Sequence, residues 1–456
     1  MKVKALEAEI ERMKEAHLLR AKRKAANDDS ESARAERRVV TRARSPKKQR
    51  GCAAAERHIS SLGDDLLLSI FLRLPSLATL VRAACTCRAW RRAVASSPAF
   101  RRSFRALHPP PLLGFIFQAY DSTPAPNVTA FPAFVPARPG DKDLVAAIGG
   151  GDFFYTSLLN RTKEGRCWEM LDVCRGYALL VNWADKLLAV FNPLTRQSEH
   201  VFDLVSQSQD TLAKYHGLTV AGVLLWPDEE SMSFRVCLFA HDDSKIQFSF
   251  FTSDTGMWSV TPWVDFPVRP DSDVERSLLD RSFVGENGFL YWVYIDCRYI
   301  ILLDTATMEF SVAELPQCVS RNFDVGHTKD RKACIVYADG FNIGVLMHTK
   351  EGDGVDRWVL DRVVPMDTEL ERVLRVQFDD DSELNVLDVR DGYVYLATSK
   401  MFHDPVKPCW FMTLCLETMK LEVLFQRTFD NIIRPYTMAW PPLLGNFGRL
   451  ALEDAP

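Results

Sequence analysis

Leu62-Gly63-Asp64-Asp65-Leu66-Leu67-Leu68-Ser69-Ile70-Phe71-Leu72-Arg73-Leu74-Pro75 packs eight large apolar side chains into fourteen residues, and Leu80-Val81-Arg82-Ala83-Ala84-Cys85-Thr86-Cys87-Arg88-Ala89-Trp90-Arg91 continues it. Leu66, Leu67, Ile70, Phe71 and Leu74 recur at helical spacing. Gly63-Asp64-Asp65 can begin that helix, with an Asp as N-cap and acid near the positive end of the dipole. Pro75 stops it. A second helix is expected from about residue 76 to 85 and a third from 88 to about 95, with Pro98 as the next break. Residues 58–107 therefore predict a three-helix bundle with apolar side chains on more than one face. Some fifty residues cannot hide that many Leu, Ile and Phe in one core, so the bundle needs a partner.

Upstream the composition reverses. Val3, Leu6, Ile10, Met13 and His17 alternate in steps of three and four, which predicts a helix over residues 1–25 with the seam of a weak coiled coil. Residues 26–57 carry Ala, Arg, Ser and Lys with almost no large apolar side chains, the composition of a disordered segment. Residues 1–57 hold 17 Lys and Arg against 9 Asp and Glu, a balance of +8. The remainder holds 39 against 51, a balance of −12, so a basic tail precedes an acidic body. Lys22-Arg23-Lys24 and the run containing Lys47, Lys48 and Arg50 are candidates for a nuclear import signal. No aromatics are interleaved with them, so nucleic-acid stacking is not supported.

Downstream of Pro109-Pro110-Pro111, strand signals dominate to about residue 445, and no long helix is evident. The strands recur in units: a strand, a tight polar turn, a strand. Leu187-Leu-Ala-Val-Phe191-Asn192-Pro-Leu-Thr195, the stretch around Asp254-Thr255-Gly256, that around Asp304-Thr305 and that around Glu417-Thr418 are four of them. Residues 343–360 give a weaker one. Strands opening on Gly and an aromatic precede several units, at Gly176-Tyr177, Gly288-Phe289 and Gly392-Tyr393. Segments 113–117, 130–135 and 153–155 add a further candidate unit. A period near 50 to 60 residues predicts about six blades of a β-propeller over residues 112–445, with 446–456 as a tail. One four-stranded blade cannot cover both its faces, but blades stacked around an axis bury one another. The fold class is thus α+β multidomain: a short helical module, then an all-β propeller.

Bulk properties narrow the function. The chain has 456 residues, 47% of them hydrophobic and 11% aromatic, enough for more than one domain with a real core. Its eleven Cys form no Cys-x-x-Cys pair, which points to reduced thiols and a nuclear or cytoplasmic setting. No apolar run reaches membrane-spanning length and the charged start is no secretory signal, so no membrane role is expected.

The helical stretch closely resembles the F-box, and the Gly-aromatic strands with Asp-Thr turns resemble the kelch-like, F-box-associated propellers of plant F-box proteins. In that family the first helix and the Leu-Pro after it dock on a Skp-type adaptor, and through it on a cullin. The resemblance implies adaptor contacts by Leu62, Leu66, Leu67, Ile70, Leu74 and Pro75. The family's Cys-x-x-Trp matches Cys87-Arg88-Ala89-Trp90, which implies that Leu80, Cys87 and Trp90 anchor the bundle core. Gly63 stands where the family usually has Pro, a change that costs the preset φ of a helix start.

Other motifs carry less. Gly149-Gly-Gly151 lacks the Lys-Ser/Thr of a phosphate loop and reads as a turn between blades. Asp379-Asp-Asp381-Ser-Glu383 lacks the Gly and closing Glu of a calcium loop and reads as a solvated acidic loop. Cys85-Thr-Cys87 has no His pair to complete a metal site. None of the nine His lies in a nucleophile motif. The expectation is a non-catalytic receptor without cofactor or metal, a substrate-recruiting subunit of an SCF-type ubiquitin ligase whose propeller loops hold an unidentified target protein. Residues 320–328 and 366–383 are candidate contact loops. The alternatives are a ligand- or glycan-binding propeller with a vestigial F-box, and a propeller enzyme.

Overall fold

A computed structural model describes residues 63–119, 133–161, 168–203, 219–226, 233–241, 244–267, 278–284, 289–294, 297–319, 322–350, 356–376, 378, 382–400, 408–428, 431–438, 440–441 and 444. The tail with its import candidates Lys22, Arg23, Lys24, Lys47, Lys48 and Arg50, the expected coiled coil, Leu62 and residues 446–456 lie outside the described residues.

Helix α1 spans Asp64–Phe71. Its N-cap is Gly63, in extended backbone at φ −62°, ψ 150°, and no side chain caps it. That corrects the expectation of an Asp cap: Asp64 and Asp65 fall one step later, inside the first turn, where their charge still complements the dipole. In α2 (Leu77–Ala84) the Ser76 hydroxyl accepts the Thr79 N–H at 3.2 Å. Helix α3 spans Arg88–Ser96. Pro98 ends nothing that does not restart at once. It sits in the first turn of α4 (Pro98–Leu107), where Ser97 accepts the Phe100 N–H at 3.3 Å. Leu67, Phe71, Leu80, Val94, Phe100 and Phe104 make the bundle's core. Leu444, from the far end of the chain, is fully buried among them, and Trp440 meets Phe104 edge-on at 6.1 Å.

Six antiparallel sheets follow. Strands β1 (Leu112–Ala119) and β2 (Ala133–Pro136) come first, then helix α5 (Lys142–Gly149) and a 3-10 turn over Thr156–Arg161. The first complete blade is β3 (Glu169–Cys174), β4 (Tyr177–Asn182), β5 (Leu187–Asn192) and β6 (Gln197–Asp203). The second is β7 (Thr219–Leu225), β8 (Arg235–His241), β9 (Lys245–Thr252) and β10 (Met257–Val260), with short β11 (Val264–Asp265) also on β9. The third is β12 (Leu278–Val284), β13 (Phe289–Tyr294), β14 (Tyr299–Asp304) and β15 (Glu309–Glu314). The fourth is β16 (Phe323–His327), β17 (Ala333–Asp339), β18 (Asn342–Lys350) and β19 (Asp356–Pro365). After helix α6 (Asp367–Leu374) comes the fifth: β20 (Ser382–Arg390), β21 (Tyr393–Lys400), β22 (Cys409–Cys415) and β23 (Leu421–Arg427). Strand β24 (Asn431–Thr437) then returns to pair with β1, giving a sixth sheet ordered β2-β1-β24. The first strands β3, β7, β12, β16 and β20 touch in succession, and β24 lies between β20 and β3, so the ring closes.

The middle strands show why blades must stack. Five of six residues are buried in each of β4, β5, β13 and β14, both faces covered by neighbouring blades. The hairpin turns repeat in detail. Arg196, Gly256, Met308 and Met419 each take a left-handed φ and donate their N–H to the carbonyl four residues back, on Asn192, Thr252, Asp304 and Cys415. Where that residue is Asn192 or Asp304, its side chain also accepts an N–H from within the turn, from Leu194 at 3.0 Å and from Ala306 at 2.8 Å. In the other two turns the same backbone bond forms, with the acid, Asp254 or Glu417, standing two residues after the accepting carbonyl.

Three expectations are corrected. Phe153 to Tyr155 form no strand; they turn into the 3-10 segment, and β24 supplies that blade's third strand. The expected strand over 130–135 is present in its described part, 133–135, within β2, and residues 130–132 lie outside the described residues. The candidate contact loop 366–383 holds α6, whose Leu370 and Leu374 are buried with Met366 between two blades. The candidate loop 320–328 holds β16, an innermost strand with all five residues buried. Gly149 closes α5 and Gly150 caps it, so the triple glycine is a helix exit between β2 and β3. Asp379 to Asp381 lie outside the described residues.

Candidate functional site

Helix α1 has two apolar stripes. Leu67 and Phe71 are each 3% exposed and face the bundle core. Leu66 and Ile70, one residue earlier on each turn, are 54% and 45% exposed. Both stripes have the i, i+4 spacing that aligns side chains on one helix face. Leu74 is half-buried and Pro75 exposed beyond the helix end. Of the described residues expected to meet the adaptor, Leu66, Ile70 and Pro75 are left in water, with part of Leu74. Leu67 is not at that surface; it is turned into the bundle core. Two of the three expected anchors are inside: Leu80 is fully buried, and Trp90, half-buried, packs edge-on against Phe71 at 5.5 Å. Cys87 is exposed at the N-cap of α3, where its backbone rather than its thiol serves the fold.

A second constellation lies where the hairpin turns after the innermost strands meet α4. Arg175-Gly176 and Asp391-Gly392 each take two successive left-handed φ values, 49° and 79°, 52° and 77°, closing the β3–β4 and β20–β21 hairpins tightly. A Cβ on Gly392 would come 2.9 Å from the Lys329 backbone nitrogen, so the turn needs glycine for space as well as for φ. Hydrogen bonds tie the strand ends together. The Gly392 N–H donates to the His327 carbonyl at 3.0 Å, and the Asp391 N–H donates to His327 Nε2 at 3.2 Å. Arg390 Nη1 donates to the Val173 carbonyl at 3.0 Å, reaching past β24 to β3. The Tyr436 hydroxyl donates to the Gly176 carbonyl at 2.8 Å. The ends of β3, β16, β20 and β24 are thereby locked into one mouth.

Charge is concentrated there. Arg105 of α4 stacks on Trp440 at 5.3 Å, and Arg175 stacks on Trp226 at 5.5 Å. Arg331 holds a left-handed φ of 64° in the turn after β16. Burial pushes Arg105 down to about 10, and Arg175, Arg101 and Arg331 press it the same way against Asp391. Burial and Arg175 lower Arg331 too, again opposed by Asp391. Deeper in, burial works against the charge of Arg390, but Asp388, Cys174 and Asp172 outweigh it and raise its affinity for its proton. Burial in turn raises Asp172, which accepts the Leu224 N–H at 2.8 Å and so staples β3 to β7. None of these groups stood out in the sequence. Arg175 and Asp391 were visible only as residues before a turn glycine.

Elsewhere the chemistry is sparse. A polar cavity of about 320 Å³ lies between Ser157-Leu158 and the residues Arg196 to Glu199, but Arg196 is already committed to the Gly150 carbonyl at 2.6 Å. Among the described residues no three His, Cys, Asp or Glu are grouped to hold a metal, every cysteine is a free thiol, and no helix is long and apolar enough to cross a membrane.

Residues 59–106 match the family model described as F-box-like, and residues 169–444 match that described as F-box protein AT5G49610-like, beta-propeller. No curated protein matches in sequence. Among solved structures, a quinonprotein alcohol dehydrogenase-like protein from Bacteroides thetaiotaomicron is similar at 10% identity, over 71% of this chain and 77% of that one, with a TM-score of 0.36. The Cps50 (Swd1) β-propeller domain of Myceliophteria thermophila is similar at 8% identity over 58% and 90%, with a TM-score of 0.31. Likenesses this distant say nothing about activity.

Proposed function

The chain belongs to the family of F-box proteins with an AT5G49610-like β-propeller, and from that premise we propose that it is the substrate-recognition subunit of an SCF-type cullin-RING ubiquitin ligase. It is an F-box protein of the substrate-receptor type, and F-box domains generally bind Skp1-type adaptors. The observation that supports an active dock here is the split of α1. Leu67 and Phe71 satisfy the core while Leu66 and Ile70 stay open, beside Leu74 and Pro75. An apolar stripe left in water next to a filled core is a surface that gains by being covered. Leu62 joins the proposed contact by its position before the helix.

The mechanism is positional, with no bond made by the receptor. The bundle binds the adaptor, the adaptor binds the cullin, and the propeller holds a target protein so that its lysines stay at high effective concentration near the charged E2. The basic residues Lys22, Arg23, Lys24, Lys47, Lys48 and Arg50 direct part of the population to the nucleus, the rest remaining in the cytoplasm; neutralising them shifts a fluorescent fusion toward the cytoplasm.

Pull-down of a Skp-type adaptor by wild type and by Leu66→Asp/Ile70→Asp tests the reading. Both positions are exposed, so the double variant is expected to fold with an unchanged melting temperature and to lose adaptor binding at least tenfold. Adaptor binding equal to wild type, or no binding by wild type, rejects the proposal.

A further inference from the structure

Helices α1 to α4 do not close their own core. Among the described residues, Leu444 is the one buried member of that core lying outside residues 67–104. It is 0% exposed. A short hydrogen-bonded turn delivers it: the Leu444 N–H donates to the Pro441 carbonyl at 2.9 Å, and the Leu444 carbonyl accepts the Trp440 indole N–H at 3.1 Å. Trp440 lies against α4, edge-on to Phe104 at 6.1 Å and under the Arg105 guanidinium at 5.3 Å. Just upstream, the Met438 N–H donates to the Pro111 carbonyl at 2.9 Å. Met438 packs both against the bundle core and against the core where the closing blade meets the first.

An ion pair also joins the bundle to the propeller. Arg82 of α2 forks onto both carboxylate oxygens of Asp143 in α5. That pair is exposed, and an exposed pair contributes little once solvent and salt screen it. The C-terminal contact is apolar, with one leucine wholly buried and a tryptophan laid over an aromatic ring, and it dominates. Helix α1 stands in the same core. Leu67 and Phe71, whose inward setting leaves Leu66 and Ile70 outside, belong to the cluster that Leu444 completes. The four helices are 8 to 10 residues long, too short to hold their shape without packing. Removing Leu444 leaves a void among them.

We propose that Trp440 and Leu444 are positioning residues for adaptor docking: by completing the bundle core they hold α1 in the shape that presents Leu66, Ile70 and Pro75. In naming the adaptor this rests on the function proposed above. The two residues act through Leu67 and Phe71, not by meeting the adaptor themselves. The dock is therefore not confined to residues 62–107. A receptor that has lost its C-terminal turn keeps the whole helical sequence and still presents a loosened dock.

Full-length variants test it, by adaptor binding and by hydrogen exchange of the free chain. Leu444→Ala is expected to speed amide exchange in α1 to α4 and to leave the blades as protected as in wild type. It is expected to weaken adaptor binding about tenfold, the loss that follows when the binding shape is held about a tenth of the time. Leu444→Met conserves volume and is expected to keep wild-type binding. Trp440→Leu keeps apolar bulk but loses the bond to the Leu444 carbonyl; it is expected to weaken binding about threefold, and it carries the test if Leu444→Ala does not fold. Leu346→Ala empties an equally buried leucine site in the fourth blade. It is expected to lower stability and leave adaptor binding unchanged, which separates positioning from a merely structural loss. Wild-type affinity in Leu444→Ala, or equal weakening by Leu346→Ala, overturns the proposal. If wild type itself binds no adaptor, the function proposed above fails and hydrogen exchange decides alone: faster exchange confined to α1 to α4 keeps the brace, and unchanged exchange overturns it.

Discussion

The blade of residues 169–203 and the blade that closes the ring are made of the same material and assembled in opposite ways. In the first, β3 to β6 follow one another through tight hairpins, each capped by local groups such as Asn192. In the second, β24 pairs with β1 so that Phe117 faces Ile433 and Phe115 faces Pro435, partners more than three hundred residues apart. Local turns set the strand pairing of the first blade, while its faces are covered by neighbouring blades, the closing one among them. The closing blade pairs only because both ends of the propeller reach it, and a loop of that length is entropically expensive to close. Strand pairing that is local in one blade is global in the other.

Tyr436 is the sharpest way to break that distinction. It is fully buried, its ring meets Phe153 edge-on at 5.1 Å, and its hydroxyl is bound to the Gly176 carbonyl in the neighbouring blade. Tyr436→Ala is expected to cost about 3–5 kcal/mol, read as a lower urea midpoint for the whole propeller. Tyr436→Phe should lose about 1–2 kcal/mol. Asn192→Ala, by contrast, removes the acceptor of the Leu194 and Thr195 N–H groups from one hairpin. It should cost about 1 kcal/mol, with faster hydrogen exchange confined to β5 and β6. If the two alanine variants lose equal stability, the difference between the blades is not real. The smallest expected effect lies outside both. Gly63 has the φ of a proline, −62°, and nothing lies within 4 Å of a Cβ built there. Gly63→Pro should stabilise the bundle by about 0.4–1 kcal/mol, seen as a small rise in melting temperature, and should tighten rather than weaken adaptor capture.

The same contrast explains what the sequence could tell. Hairpins at Asn192 and Asp304 were legible because every residue that makes them lies within a few positions. The helices α1 to α3 were legible for the same reason. The partner of β1 was not, since nothing near residues 112–119 names residues 431–437, and Phe153-Phe154-Tyr155 offered a closer but wrong strand. Helix α6 was missed although Leu370 and Leu374 keep helical spacing behind Asp367 and Glu369; eight residues amid strands gave the pattern too little length. On α1 the sequence set out two equivalent stripes, Leu66 with Ile70 and Leu67 with Phe71. Only packing against α2 to α4 decides which is spent on the core. The mouth arginines left no linear trace at all, for they meet only when three turns and a helix have been brought together.

The closing blade also sets a clock. Strand β1 carries Leu113, Phe115, Ile116 and Phe117, all buried in the finished ring. On the ribosome it emerges long before β24 exists. At about 5–20 residues per second, those side chains wait tens of seconds with β2 on one side and the other edge unpaired. During that interval the newborn chain depends on whatever cellular machinery shelters sticky strands, and a pause in translation anywhere between residues 119 and 431 lengthens its exposure.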